Sequence, residues 1–337
     1  MDGPAERLAT GAMRPTTAQE LPRIDGYSME AVIGSGGMGT VYRARQLSLG
    51  RPVAVKVLAD PLCSQPGYVS RFEQEGCLQA RVQHPHVLPV LDRGEADGKQ
   101  YIVMRLVHGP NMRQLVRFGA VGPAQTVELL TGVGAALDHA HASGILHLDV
   151  KPHNVLIEGE WHAWLADFGL TCLVDEAARG TGTRLRAGTY DYLAPELVHG
   201  EAPSTASDVY SLAVTAFQCL TGELPFPLVN DRLDLFANAC LPRPAASERR
   251  PGLPGAVDTE LQRAMSVDPT ERPLTAGELI DSLRIALGLP PRSKPEWQLF
   301  KESRLVRLGA EPAEELPSSA HTVAPVAPSR RGKYASV

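Results

Sequence analysis

Lysine is scarce in this chain: 6 residues stand against 27 arginines among 337. Arginine serves for most surface cations, but it does not replace lysine where the chemistry wants a compact ammonium. The surviving lysines are therefore informative. Neither sign of charge dominates. Lys and Arg number 33 against 38 Asp and Glu, and the formal net charge of −5 argues against a dedicated nucleic-acid binder. Paired cysteines are lacking. Cys63, Cys77, Cys172, Cys219 and Cys240 form no CxxC metal or redox pair, and an odd, widely spaced set does not build a disulfide framework. They read as free buried thiols in a reducing cytoplasm. No window approaches 18 uninterrupted apolar residues, and residues 1–21 lack the apolar core of a signal peptide. The chain reads as soluble and cytoplasmic, with no membrane insertion.

What is present is enough for a sizeable core: 43% of the residues are hydrophobic. At about 150 residues per domain, the length suits two domains or one bilobal unit. Residues 1–25, rich in Ala, Pro, Thr and charge, read as a flexible leader. From Tyr27 to Val107 the pattern is one of short strands: Ala31–Ile33, Thr40–Tyr42, Val53–Leu58 and Tyr101–Met104 are β-branched or aromatic runs between turns. A helical stretch, residues 68–82, interrupts them. After Gly109 the texture is helical, with helices expected over 124–142, 207–221, 257–265 and 276–287. The fold class is α+β. From 289 a Pro-, Ala- and Ser-rich tail reads as mostly disordered, with Trp297, Phe300, Leu305 and Leu308 spaced for one amphipathic helix.

Five constellations carry chemistry. Gly34-Ser35-Gly36-Gly37-Met38-Gly39 places glycines where backbone N–H groups can approach phosphate oxygens without a Cβ between them. A strand, Thr40–Ala44, follows it. A dinucleotide fold would need a helix there, so the context is a glycine hairpin lying over a nucleotide. Lys56, in the apolar run Val53-Ala54-Val55-Lys56, needs an anionic partner if buried, and Glu75 on the 68–82 helix is the candidate. His147-Leu148-Asp149-Val150-Lys151-Pro152-His153-Asn154 packs a carboxylate, an ammonium and an amide into six residues of a loop, since Pro152 excludes a helix interior. Asp149 is suited to accept a hydroxyl proton, Lys151 to stabilise a transferring phosphoryl group and Asn154 to hold a metal. Ala166-Asp167-Phe168-Gly169 places a metal-binding acid at a hinge. Gly188-Thr189-Tyr190-Asp191-Tyr192-Leu193-Ala194-Pro195-Glu196 is followed by Asp208 and Arg272.

This ordered set resembles the bacterial eukaryotic-like (Hanks-type) serine/threonine protein kinases, over about Tyr27 to Leu287. The resemblance implies a bilobal kinase domain over 26–288. Its small, mostly β lobe (26–107) carries one key helix and its larger lobe (108–288) is mostly α; a leader (1–25) and a tail (289–337) flank it. It implies ATP and Mg²⁺ as cofactors, with Mn²⁺ as the alternative ion, and protein substrates with Ser/Thr acceptors. Ile33, Gly34, Ser35, Gly36, Gly37, Met38 and Gly39 would cover the phosphates, and Val41 and Ala54 would pack on adenine. Lys56 would hold the α- and β-phosphates and pair with Glu75. Met104 would be the gatekeeper, with the backbone of Arg105 to Val107 bonding adenine. Asp149 would be the catalytic base, Lys151 the γ-phosphate partner, and Asn154 and Asp167 the metal ligands. Glu196 with Arg272, and Asp208, resemble structural anchors.

Departures matter as much. Leu148 stands where the family usually has an arginine that contacts a phosphorylated activation segment, and leucine has no charge for that contact. The expectation is that activity does not strictly require phosphorylation at Thr171, Thr181, Thr183 or Thr189. Arg105 replaces an acid usual after the gatekeeper, and His108 one that often holds the ribose; both bear on ATP affinity and neither removes a catalytic group. The remaining residues take plain readings. Arg249 and Arg250 are a solvated loop, His139 and His141 adjacent-face helix residues and not a metal site, and Trp161 and Trp164 packing residues. Cys172 is a redox candidate and Thr322 an autophosphorylation candidate in the tail. A pseudokinase scaffold and a small-molecule phosphotransferase remain as alternatives, and self-association through the small lobe, common in relatives, is left open.

Overall fold

The computed structural model describes residues 21–64, 66–119, 121–168, 190–229 and 232–291. Gly169, Cys172, the four activation-segment threonines, Gly188, residues 1–20 and the tail from 292, with Trp297 and Thr322, lie outside the described residues. The first sheet is antiparallel, with β1 (Tyr27–Ser35), β2 (Gly39–Gln46), β3 (Arg51–Leu58), β4 (Val90–Ala96) and β5 (Lys99–Arg105) ordered β1-β2-β3-β5-β4. Strand period two sets Val53, Val55 and Val57 against Ala54, Lys56 and Leu58 on opposite faces of β3. Both faces are covered. The valines pack with Ile24, Tyr27 and Val103; Ala54 and Leu58 pack with Phe72, Ile102 and Met104. That double burial is why β3 reads as a continuous apolar run, and it seats Lys56 inside the sheet's covered face.

Helix α1 (Asp60–Cys63) leads to α2 (Pro66–Arg81). The latter starts two residues before its expected start at 68, because a proline in the first turn already has the helical φ and lacks only an N–H that would be unpaired there. Phe72, Glu75 and Gln79 are all buried, and their spacing of three and four puts them on one face. Gln79 Nε2 donates to Leu88 O at 2.7 Å, tying the end of α2 to the segment before β4.

The larger lobe contains α3 (Met112–Arg117), α4 (Pro123–Ala142), the hairpin β6 (Val155–Glu158)–β7 (His162–Leu165), and α5 (Pro195–Val198). Then follow α6 (Thr205–Thr221), α7 (Arg232–Cys240), α8 (Ala246–Arg249), α9 (Gly255–Ala264) and α10 (Ala276–Ala286). Helix α6 is buried from Ser207 to Leu220 and is the axis on which α4, α9 and α10 pack. It stops at Gly222, whose φ of 89° is left-handed. Among the described residues no helix is long and apolar enough to cross a membrane.

Three plain readings need correction. The segment expected as leader is anchored at its end: Ile24 is buried in the sheet's core and bridges to Tyr27. Arg249 lies in α8 and pairs with Glu223 at 3.2 Å, and Arg250 Nη1 donates to Leu220 O at 2.8 Å, taking up a carbonyl in the last turn of α6. Trp161, in the β6–β7 turn, is exposed, whereas Trp164 is buried.

Candidate active site

The β1–β2 connection is a tight hairpin: Gly36 N–H donates to Gly39 O at 2.9 Å, and Gly34 pairs with Val41. Its glycines are not alike. A Cβ on Gly39 would lie 2.1 Å from Val57 O, so that glycine is required by the sheet. A Cβ on Gly36 would meet nothing within 4 Å, and one on Gly34 only Val41 at 3.8 Å. Nothing among the described residues asks for glycine at 34 or 36. Ile33, Ser35 and Gly36 are exposed, and Gly37 and Met38 are half-buried. Behind the hairpin, Ala54 and Met104 are buried register partners on β3 and β5, and Val41 packs on the same cluster. Val107 joins that cluster just past Arg105.

Lys56 is where three elements meet. Its Nζ lies 2.5 Å from Glu75 Oε1 on α2 and 3.0 Å from Asp167 Oδ1 beyond β7, with the side chain 10% exposed. Burial works against the ammonium, but the carboxylates of Asp167 and Glu75 outweigh it and raise its pKa. Burial pushes the Glu75 carboxyl up, with the Lys56 ammonium opposing it. Burial also acts on Asp167, yet the Lys56 charge dominates and its pKa is lowered, so it stays ionised.

Asp149, Lys151 and Asn154 form a bonded group. Lys151 Nζ donates to both carboxylate oxygens of Asp149, at 2.8 and 2.7 Å, and Asn154 Nδ2 donates to Asp149 O and Oδ2 at 2.9 and 2.8 Å. Burial raises the Asp149 pKa, offset in part by Lys151. That tuning favours a general base. Both N–H donors of Asn154 are spent on Asp149, which leaves its amide oxygen as a hard donor. The Asp167 side chain remains 39% exposed. Hard oxygens from an amide and a carboxylate suit a small divalent cation such as Mg²⁺, which keeps waters and takes one or two protein oxygens.

The loop is braced from below. Asp208, fully buried on α6, accepts from His147 N at 2.9 Å and Leu148 N at 2.7 Å, and bonds His141 Nε2 at 2.8 Å. Leu148 and Asp167 hold positive φ, 59° and 61°. Such strain persists only where the surroundings over-determine it, and Asp208 supplies that at Leu148. The Leu148 side chain is buried in the large core. His147 Nδ1 accepts from Asp149 N at 3.2 Å and Nε2 donates to Ala166 O at 3.1 Å. This needs a neutral ring, and burial lowers the His147 pKa accordingly. His147 thus links Asp149 to the strand that delivers Asp167. Its role, and that of His141, was not legible in the sequence: each bonds a residue outside its own motif. His141, read only as a helix residue, is part of the brace.

Glu196 and Arg272 pair bidentately, Nη1 to Oε1 at 2.8 Å and Nη2 to Oε2 at 2.7 Å, and Ser207 Oγ donates to Glu196 at 2.8 Å. A cavity of about 500 Å³ opens beside His153, lined among others by Arg113, Asp191, Tyr192 and Glu223.

A family model described as the protein kinase domain matches residues 27–281. The chain is 34% identical over 313 residues to the serine/threonine-protein kinase PknE of Mycobacterium tuberculosis, covering 91% of this chain and 52% of that protein. It is 36% identical over 266 residues to PknH of the same organism, covering 78% and 42%. It therefore spans about half or less of the length of these curated relatives. The crystal structure of the Mycobacterium tuberculosis PknI kinase domain superposes with a TM-score of 0.63 at 31% identity, over 78% of this chain and 97% of that one.

Proposed function

The chain belongs to the protein kinase family, and from that premise we propose that it transfers the γ-phosphate of ATP to serine and threonine hydroxyls of proteins, itself included, in the cytoplasm. The observation that carries this reading is the convergence on Lys56: one buried ammonium between Glu75 at 2.5 Å and Asp167 at 3.0 Å, residues brought from a helix and from a strand end 111 positions away. Such a lysine is held out toward a phosphate site by its carboxylates.

Residues 33–39 lie over the phosphates, where Gly34 and Gly36 let backbone N–H groups come close. Val41, Ala54 and Met104 enclose the base, and the backbone of Arg105 to Val107 bonds it. Lys56 orients the α- and β-phosphates. Asp149 accepts the proton from the acceptor Ser/Thr oxygen as that oxygen attacks the γ-phosphorus, the bond to the β–γ bridging oxygen breaks, and ADP leaves. Lys151 steadies the charge on the phosphoryl oxygens. Asn154 and Asp167 would hold Mg²⁺, which supplies charge neutralisation on the phosphates. The acceptor peptide lies across the cavity beside His153.

The test is incubation of the full chain with Mg²⁺, ATP and a generic Ser/Thr protein substrate, followed by mass spectrometry. Phosphate on Ser/Thr, lost in Asp149→Asn, is the expected result. ATP binding without incorporation would overturn phosphotransfer in favour of a scaffold.

A further inference from the structure

Arg105 ends β5, one residue past Met104, and is charged where an acid was expected from resemblance. Its side chain has two partners in the other lobe. Nη2 donates to Glu158 Oε2 at 2.9 Å, and the guanidinium carbon lies 5.0 Å from the centroid of the Trp164 ring. Trp164 Nε1 donates to the same Glu158 oxygen at 3.0 Å. One carboxylate oxygen thus collects two N–H donors while the cation stacks on the indole. An exposed ion pair alone contributes little. A planar guanidinium stacked on an aromatic face, with its carboxylate held by that same aromatic, is better fixed than a surface pair and is not reproduced by an ammonium.

The place of the three matters more than their strength. Glu158 closes β6, which begins directly after Asn154, and Trp164 lies on β7, three residues before Asp167. The far end of the same inter-lobe segment is sewn to the same hairpin: Ile157 N–H donates to Pro110 O at 2.9 Å, and a Cβ on Gly109 would lie 2.0 Å from Ile157 O. Residues 105–110 are therefore fastened at both ends to the hairpin whose two roots are Asn154 and Asp167. At the Gly109 end the fastening is backbone; at the other it is Arg105, whose own N–H is committed to Pro89 O at 3.0 Å.

We infer that Arg105, Glu158 and Trp164 form a positioning clamp for Mg²⁺·ATP, holding the adenine-bonding backbone at a set distance and tilt from the metal-binding pair. This rests on the nucleotide reading above. Arg105 acts through Glu158 and Trp164, not by touching the reacting atoms. The charge at 105 is then a built contact and not merely a lost acid.

The test is titration of the full chain with the fluorescent nucleotide mant-ADP and Mg²⁺, for wild type, Arg105→Ala, Glu158→Gln and the double variant. Arg105→Ala is expected to weaken binding by about five-fold, the scale of one lost cation–aromatic contact together with its ion pair, and Glu158→Gln, which leaves the guanidinium over Trp164, by less but measurably. The double variant should lose no more than Arg105→Ala alone, because that change already removes the contact Glu158 makes. KM for ATP should rise in parallel while kcat at saturating ATP moves less than about two-fold, the split expected when binding and not chemistry is lost. Arg105→Lys should restore only part of the affinity. Glu158→Gln keeps the side chain's size, so it reports even if the Arg105 variants fold poorly. Unchanged affinity in the single variants, or effects that multiply in the double one, overturns the clamp while leaving the kinase reading intact. Wild-type protein that binds no mant-ADP overturns both.

Discussion

Lys56 shows how a compositional scarcity becomes a chemical statement. Three of the six lysines lie in described residues. Lys56 and Lys151 sit in the candidate site, and Lys99 pairs at the surface with Asp60. In a chain that writes most of its cations as arginine, the two site lysines occupy spaces sized for an ammonium: Nζ of Lys56 has acceptors at 2.5 and 3.0 Å within a nearly closed setting. A guanidinium is wider and directs its donors in a plane, so it cannot reach both carboxylates from that strand position without displacing one. Lys56→Arg is expected to lower kcat/KM for peptide phosphorylation by at least about 100-fold, roughly 2.7 kcal/mol; near-normal turnover would remove Lys56 from the phosphate-binding role. The pairings that stayed silent in sequence were silent for one reason. His141 meets Asp208 across 67 positions and Arg105 meets Glu158 across 53, and neither partner shares a motif with the residue it serves.

Elements were more legible than individual side chains. Period 3.6 over 124–142 reflects one face that must be buried, whereas the nearly unbroken apolar run Val53–Leu58 reflects a strand covered on both faces, and the structure buries each accordingly. The leader's boundary was not legible, because a single apolar Ile24 among polar residues carries no period; only packing against Tyr27 and Val53 shows that it belongs to the sheet. The glycine hairpin divides the same way. Gly39 is explained by Val57 O, whereas Gly36 has open space around its Cα. Gly39→Ala should therefore lower the melting temperature by several degrees, since the β2–β3 backbones must separate, at a cost of about 1–3 kcal/mol. Gly36→Ala should leave the melting temperature within about one degree, as surface changes usually do, and yet raise KM for ATP. Thermal melts and ATP titrations on the two variants check this; a fold equally damaged by both would mean that Gly36 serves the hairpin and not a ligand.

At the scale of the whole molecule, the Glu196–Arg272 pair joins the start of α5 to the segment before α10, 76 residues apart, with Arg272 also donating to Ala206 O, Ser266 O and Val267 O. The Arg272 side chain is fully buried and that of Glu196 is 4% exposed. Removing one member of a buried pair leaves the other charge unsolvated, which costs about 3–5 kcal/mol. At about 2–4 °C per kcal/mol for a folded unit of this size, Arg272→Met should melt about 10 °C lower at pH 7. The pH dependence then separates an ionic anchor from mere packing. In the wild type burial raises the Glu196 pKa, but the hydrogen bonds and charge of Arg272 prevail and hold it below its ordinary 4.5. The folded state binds fewer protons than the unfolded one in that window, so the pair's contribution is complete above about 4.5 and declines as pH falls through the folded value. In Arg272→Met burial acts unopposed by that cation, Glu196 titrates above its unfolded value, and acid stabilises the variant relative to its own pH 7 state. The gap in melting temperature between wild type and Arg272→Met should thus narrow steadily from pH 7 to pH 4. A gap that stays constant would mean that Glu196 is not held as a buried anion, and that this anchor is one of shape alone.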